Sequence, residues 1–119
     1  MAFESESMPF ELVARRLKAL ADASRLAVLR RLCRGEKCVT ELVEETGLGQ
    51  ANVSKHLRIL LGEGYVIARR NHRNVFYRVS NGMSEEICAI ICKSIRETAA
   101  GERRAIARYP GRKTARKGG

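Results

Sequence analysis

Two sets of side chains in this 119-residue chain have types and spacings suited to chemistry. The first lies in the segment QANVSKHLRILLGEG, where Gln50, Asn52, Ser54, Lys55 and Arg58 offer amide, hydroxyl and cationic groups. Such groups hydrogen-bond base edges and phosphate oxygens. Close behind them, Arg69, Arg70, His72 and Arg73 gather where two β-prone runs meet, a cationic finger suited to lying along a phosphate backbone or minor groove. The second set is thiols. Cys88 and Cys92 stand four residues apart in a helical pattern, which puts both on one side of that helix. A thiolate pair can hold a soft ion such as As(III), Cd(II) or Cu(I), with Cys38 as a third ligand if the fold brings it near. The same thiols can be oxidised, persulfidated or bridged to a second subunit. A disulfide between Cys88 and Cys92 is disfavoured, because neighbouring helical side chains seldom meet its dihedral requirement. The plainer alternative is that all four cysteines are small apolar residues filling a core or interface edge. Cys33 is assigned to packing, because it falls with Leu26 and Leu29 on one side of a helical pattern.

The remaining composition narrows the partners. The formal charge of +10 comes from 23 Lys and Arg against 13 Asp and Glu and favours a polyanion. No apolar run approaches the ~20 residues of a membrane span, and MAFESESM lacks the basic and apolar regions of a signal peptide. The expectation is a soluble, cytoplasmic protein with no membrane partner. In that reducing compartment cysteines serve as thiols, ligands or switches. With no CxxC and only two histidines, neither a zinc finger nor a thioredoxin-type motif is expected.

The elements that position these groups follow from periodicity. Residues 1–8 are polar and aperiodic, so a flexible N-terminus is expected. Pro9 suits a helix start, and Phe10, Val13, Leu17 and Leu20 recur at helical spacing over residues 9–21. Asp22 is an N-cap for a second helix ending at Gly35, with Arg25, Arg30, Arg31 and Arg34 on a solvated face. Thr40 is the expected cap of a third helix that Gly47 closes. After a short turn, Val53, Leu57 and Leu60 must face a core, which leaves the polar set of the next helix outward. That helix stops at Gly62 or Gly64. VIARRN and NVFYRVS then form a hairpin whose turn positions suit Asn71 and Asn74. A last long helix starts from a cap at Asn81 or Ser84, with Met83, Ile87, Ile90, Ile91, Ser94 and Thr98 along one line. The folded part is placed at residues 9–107, followed by a flexible basic tail over 108–119.

The fold class is therefore mainly α with a β-hairpin wing: about five helices and two main strands in a winged helix-turn-helix. An ordinary amphipathic helix would explain Val53, Leu57 and Leu60 but not the charge bias beside them. Gln50 to Arg78 holds six Lys and Arg against the single acid Glu63. His56 is open between a packed core-edge histidine, a base contact and a metal ligand, with a structural or DNA role favoured.

Three motifs carry a family resemblance: LKALADASRLAVLRRL, GQANVSKHLRILLGEGYV and VFYRVS. Over about residues 10–98 the chain resembles the ArsR/SmtB repressors of bacteria. The resemblance implies a homodimer that binds double-stranded operator DNA at an inverted repeat and represses until an inducer releases it. It implies a dimer interface on the first and last helices, through Phe10, Val13, Leu17, Leu20, Ile87, Ile90 and Ile91. It also assigns DNA contact to Gln50, Ser54 and His56 by their match to SQxxVSxHL, with Gly49 in place of the first serine. The inducer site departs from the family pattern. Where arsenic- and cadmium-sensing members read ELCVCDL, this chain reads EKCVTEL, so Cys38 matches the first thiol and Thr40 replaces the second. The Asp and His ligands of zinc-sensing members are absent from the last helix. No cofactor is assigned, and the candidate is a soft metal or metalloid ion on Cys38, Cys88 and Cys92. A nonspecific, architectural nucleic-acid protein with structural cysteines is the main alternative, and a thiol enzyme ranks below it.

Overall fold

Five helices and three short strands succeed one another along the described residues of this computed structural model. It describes the backbone of residues 8–108 and side chains as far as residue 98. Almost all of the two flexible ends expected from the sequence lies outside the described residues. The order is α1 (Phe10–Leu20), α2 (Ala23–Leu32), β1 (Lys37–Cys38), α3 (Val39–Thr46), α4 (Gln50–Gly62), β2 (Val66–Asn71), β3 (Asn74–Val79) and α5 (Met83–Arg108). The chain divides into two compact units after Ser84, so α5 stands almost entirely in the second.

In the first unit, α2, α3 and α4 pack on one another, and α4 also packs on β2. Their shared core is Val28, Leu29, Leu32, Leu42, Val53, Leu57 and Leu60, joined by Tyr65 and Val66 at the start of the sheet. Asp22 caps α2 as expected, its Oδ1 accepting the Arg25 N–H at 3.0 Å. The buried face of α2 differs from the expected one by about a quarter turn. It runs through Arg25, Val28, Leu29 and Leu32, whereas Cys33 is exposed at the C-cap. Cys33 is therefore no core-packing residue. Arg25 in turn is buried, not solvated.

The third helix begins one residue earlier than its expected cap at Thr40. Lys37 and Cys38 are drawn into antiparallel pairing with Tyr77 and Phe76 of β3, so the helix can start only where that strand ends. Cys38 becomes the N-cap residue, and its N–H donates to Glu41 Oε1 at 2.9 Å. This β1 strand, absent from the sequence expectation, makes a three-stranded sheet in the order β1-β3-β2. The hairpin register pairs Asn71 with Asn74, which leaves His72 and Arg73 as a two-residue loop. The left-handed backbone that such loops require falls on His72, at φ 59°, and not on either asparagine.

The last helix, α5, runs for 26 residues, and its first turn is held by Asn81, whose Oδ1 accepts the Met83 N–H at 2.9 Å. The alternative cap, Ser84, is buried instead. None of the described helices is long and apolar enough to cross a membrane.

Candidate nucleic-acid interface

The turn between α3 and α4 is built from local chemistry. Gly47 takes the left-handed conformation at φ 79° that ends α3. Thr46 Oγ1 donates to the Leu42 carbonyl at 2.7 Å and accepts the Leu48 N–H at 3.2 Å. Together these reverse the chain in three residues and launch α4 from Gly49, which caps it without a side chain. The missing serine of the family motif is thus a missing side-chain cap.

On α4 the burial pattern separates the sequence-derived candidates. Gln50, Asn52, Lys55 and Arg58 are exposed, and Ser54 is half-buried. His56 is not on that face. It is 7% exposed and points inward beside Leu57, as the packed core-edge alternative has it and not as the base contact that its match to SQxxVSxHL implies. The physical reason is spacing: His56 lies three residues after Val53 and four before Leu60, both fully buried.

What His56 does instead is visible in its partner. Its Nδ1 lies 3.1 Å from Arg25 Nη1, in a buried contact between α4 and α2. A guanidinium can only donate, so Nδ1 accepts, and the neutral ring carries its proton on Nε2. Burial pushes the His56 pKa down, with Arg25 and Lys55 adding to the effect and Asp22 opposing it. Arg25 Nε also donates to the Ala19 carbonyl near the end of α1, at 2.6 Å. One buried cation thus ties α4 to both α2 and α1. A signal was available in the sequence, since Arg25 shares the i, i+3, i+4, i+7 pattern with Val28, Leu29 and Leu32. The far end of α4 is tied to α1 as well: Glu63 pairs with Arg15 at 2.9 Å and Arg16 at 3.6 Å, and Tyr65 Oη donates to the Arg16 carbonyl at 2.9 Å.

The hairpin sets Arg70, His72 and Arg73 in solvent. Arg69 is different. Its Nε and Nη2 donate to Glu36 Oε2 and Oε1 at 3.0 and 2.7 Å, and its guanidinium sits 5.3 Å from the centre of the Phe76 ring. Nothing in the sequence linked Glu36 to a residue 33 positions later. Lys37 adds a second ion pair at the sheet's edge, with Glu45 of α3 at 3.1 Å.

The three candidate sensor thiols fall in two places. Cys38 is half-buried in β1, across from Phe76, and so joins the start of α3 to the hairpin. Cys88 is half-buried and Cys92 exposed on α5. No group of three or more His, Cys, Asp or Glu suited to a metal ion occurs among the described residues. Of the residues expected at a dimer interface, Leu20 is 6% exposed and belongs to its own domain's core. Val13 and Ile87 are half-buried, while Phe10, Leu17, Ile90 and Ile91 are exposed. Leu12 and Ile95 are exposed too.

A short helix, a glycine turn, a second helix with a polar outer face and a basic antiparallel hairpin define a winged helix-turn-helix, a DNA-binding class. The family model for the bacterial regulatory proteins of the arsR family matches residues 22–68. An arsenical resistance operon repressor of Bacillus subtilis is 34% identical over 96 residues, covering 76% of this chain and 91% of that protein. The chain belongs to the ArsR family. A probable mercury resistance operon repressor of Streptomyces lividans is 44% identical over 68 residues, or 57% of this chain, and the match spans 54% of that protein's length. Among solved structures, the homodimeric winged helix-turn-helix DNA-binding domain of a Mycobacterium bovis protein has a TM-score of 0.68 at 29% identity. That likeness covers 86% of this chain and 95% of the other.

Proposed function

We propose that this protein is a cytoplasmic homodimeric transcriptional repressor that binds an inverted-repeat operator through α4 and the wing. The observation that carries the reading is the division of α4. One side is buried and latched through His56, while Gln50, Asn52, Lys55 and Arg58 face outward with Ser54 at their edge. Gln and Asn pair with adenine edges, and Arg with guanine edges or phosphate, once such a helix enters the major groove. Arg70, His72 and Arg73 supply the adjoining backbone contact. A second copy covers the exposed apolar residues of α1 and α5, as the homodimeric Mycobacterium bovis domain encourages. It sets two reading helices about 34 Å apart on successive major grooves.

The test is binding to operator and scrambled duplex at moderate salt. Operator affinity should exceed scrambled by about a thousandfold or more and fall steeply with salt. Removing residues 108–119 should leave that preference intact. Equal affinity for the two duplexes, or loss of binding with the tail, would favour the architectural alternative.

The inducer in this reading is a thiol-reactive species, either a soft metal or metalloid ion or a reactive sulfur compound or oxidant, acting at Cys88 and Cys92. Their four-residue spacing on α5, with one thiol exposed and one half-buried, supports it, as do the mercury and arsenical resistance names of the two relatives. Release requires that the modified protein prefer the DNA-incompetent state, since equal binding to both states shifts nothing. Adding As(III), Cd(II), Cu(I), persulfide or peroxide in turn to the operator complex identifies the species. The double variant Cys88→Ser/Cys92→Ser should not respond, and an undiminished response would remove these thiols from the sensor.

A further inference from the structure

Basic residues in a wing invite a uniform role as phosphate contacts, but Arg69 differs from its neighbours in every respect that matters. Strand alternation and register place it on the same sheet face as Phe76 and Cys38, one from each strand, while Arg70 lies on the opposite face with Val75. Along this row the guanidinium lies over the Phe76 ring and closes a two-pronged ion pair with Glu36. Glu36 belongs to the connection between α2 and β1, so the pair fastens a residue of the outer strand β2 back to the body of the domain. A planar fork on a carboxylate fixes direction as well as distance, which a lysine or an unpaired arginine would not do. The side chains of Arg70 and Arg73 have no hydrogen-bond or ion-pair partner among the described residues.

We propose that Arg69 is a positioning residue that sets the wing's angle through Glu36 and Phe76, and that Arg70 and Arg73, not Arg69, neutralise phosphates. Glu36 occupies the Nε–Nη2 edge of Arg69 and already balances its charge, so a phosphate at that edge would have to displace the carboxylate. The Arg69 hydrogen bond also holds the Glu36 carboxyl below its ordinary pKa, so the pair stays ionised at neutral pH. With the wing tethered at this point, the loop of His72 and Arg73 meets DNA as a preset finger.

The proposal rests on the wing lying against DNA, and the experiment separates the two. Operator affinity is measured as a function of salt for the full-length protein and for Arg70→Gln, Arg73→Gln, Arg69→Gln, Arg69→Lys and Glu36→Asp. Arg70→Gln and Arg73→Gln should each reduce the slope of log K against log salt by about 0.9. If neither does, the reading of the wing as a DNA contact fails. Arg69→Gln should leave the slope unchanged while weakening binding about twofold to fivefold, the range of an exposed ion pair. Arg69→Lys and Glu36→Asp keep every charge but break the fork, and each should weaken binding to the same extent. Combining those two should add no further loss, because they remove one interaction. Unaltered thermal midpoints would place the effect in wing geometry, not in folding. The proposal is overturned if Arg69→Gln lowers the slope as the other two do, if the charge-conserving variants bind as wild type, or if their weakening follows a lowered thermal midpoint.

Discussion

The reading helix α4 and the last helix α5 are both amphipathic, but their surroundings differ. On α4 the inward face is closed within its own unit by apolar neighbours, by the His56–Arg25 contact, and at its end by Glu63. On α5, Ile90, Ile91 and Ile95 are 68%, 54% and 52% exposed, and the hydrogen bonds of Thr98 reach only its own helix. A helix that must present side chains to a fixed groove gains from being held rigidly by its own chain. A helix left with an apolar stripe is where the proposed second copy would pack and where the proposed inducer would act.

The largest expected effect concerns the held helix. Arg25→Ala leaves the Ala19 carbonyl and His56 Nδ1 buried without their donor, and should destabilise the fold by about 3 kcal/mol. Urea unfolding checks this, and a change below about 1 kcal/mol would mean that the buried cation latches nothing. On the other helix, Ile91→Glu should raise the dimer dissociation constant about tenfold to a hundredfold while the monomer stays folded. Sedimentation measures it, and an unchanged dimer would move the interface away from α5. Next comes the outer face of α4: Gln50→Ala should narrow discrimination among operators with single base changes by about tenfold, with folding unaffected. Retained discrimination at every base would sink that contact.

The smallest effect is on pH. The folded pKa of His56 lies below its ordinary value of 6.5, so the unfolded chain takes up its proton first as pH falls. Stability from the neutral ring is full above that value and declines as pH drops below it, until the folded protein also protonates. His56→Gln, whose amide oxygen can still accept from Arg25, should flatten this part of the thermal midpoint against pH. If the two proteins lose stability in parallel between neutral and mildly acidic pH, the latch does not titrate.

The helices were legible because local signals agreed with one another. Asp22 before a helical run, Gly47 after one, and Val53, Leu57 and Leu60 at helical spacing are each decided within one or two turns of chain. Where a polar residue shares an apolar face, residue type misleads: it suggests solvent for Arg25 and leaves His56 open between core and DNA, although both lie on buried stripes. The two-residue strand β1 was missed for a different reason. Lys37 and Cys38 carry no alternation of their own and become a strand only because β3 lies alongside.

By itself, then, the sequence determined that there would be a reading helix, a basic hairpin and a long last helix with an apolar line and two thiols on one flank. Periodicity, caps and charge act over a few residues and survive without knowledge of the fold. Only the tertiary structure decided which polar groups reach solvent and which hold the frame. Arg25 meets His56 across 31 residues and Arg69 meets Glu36 across 33, and the gain of a buried contact or a two-pronged ion pair exists only once distant segments are brought together.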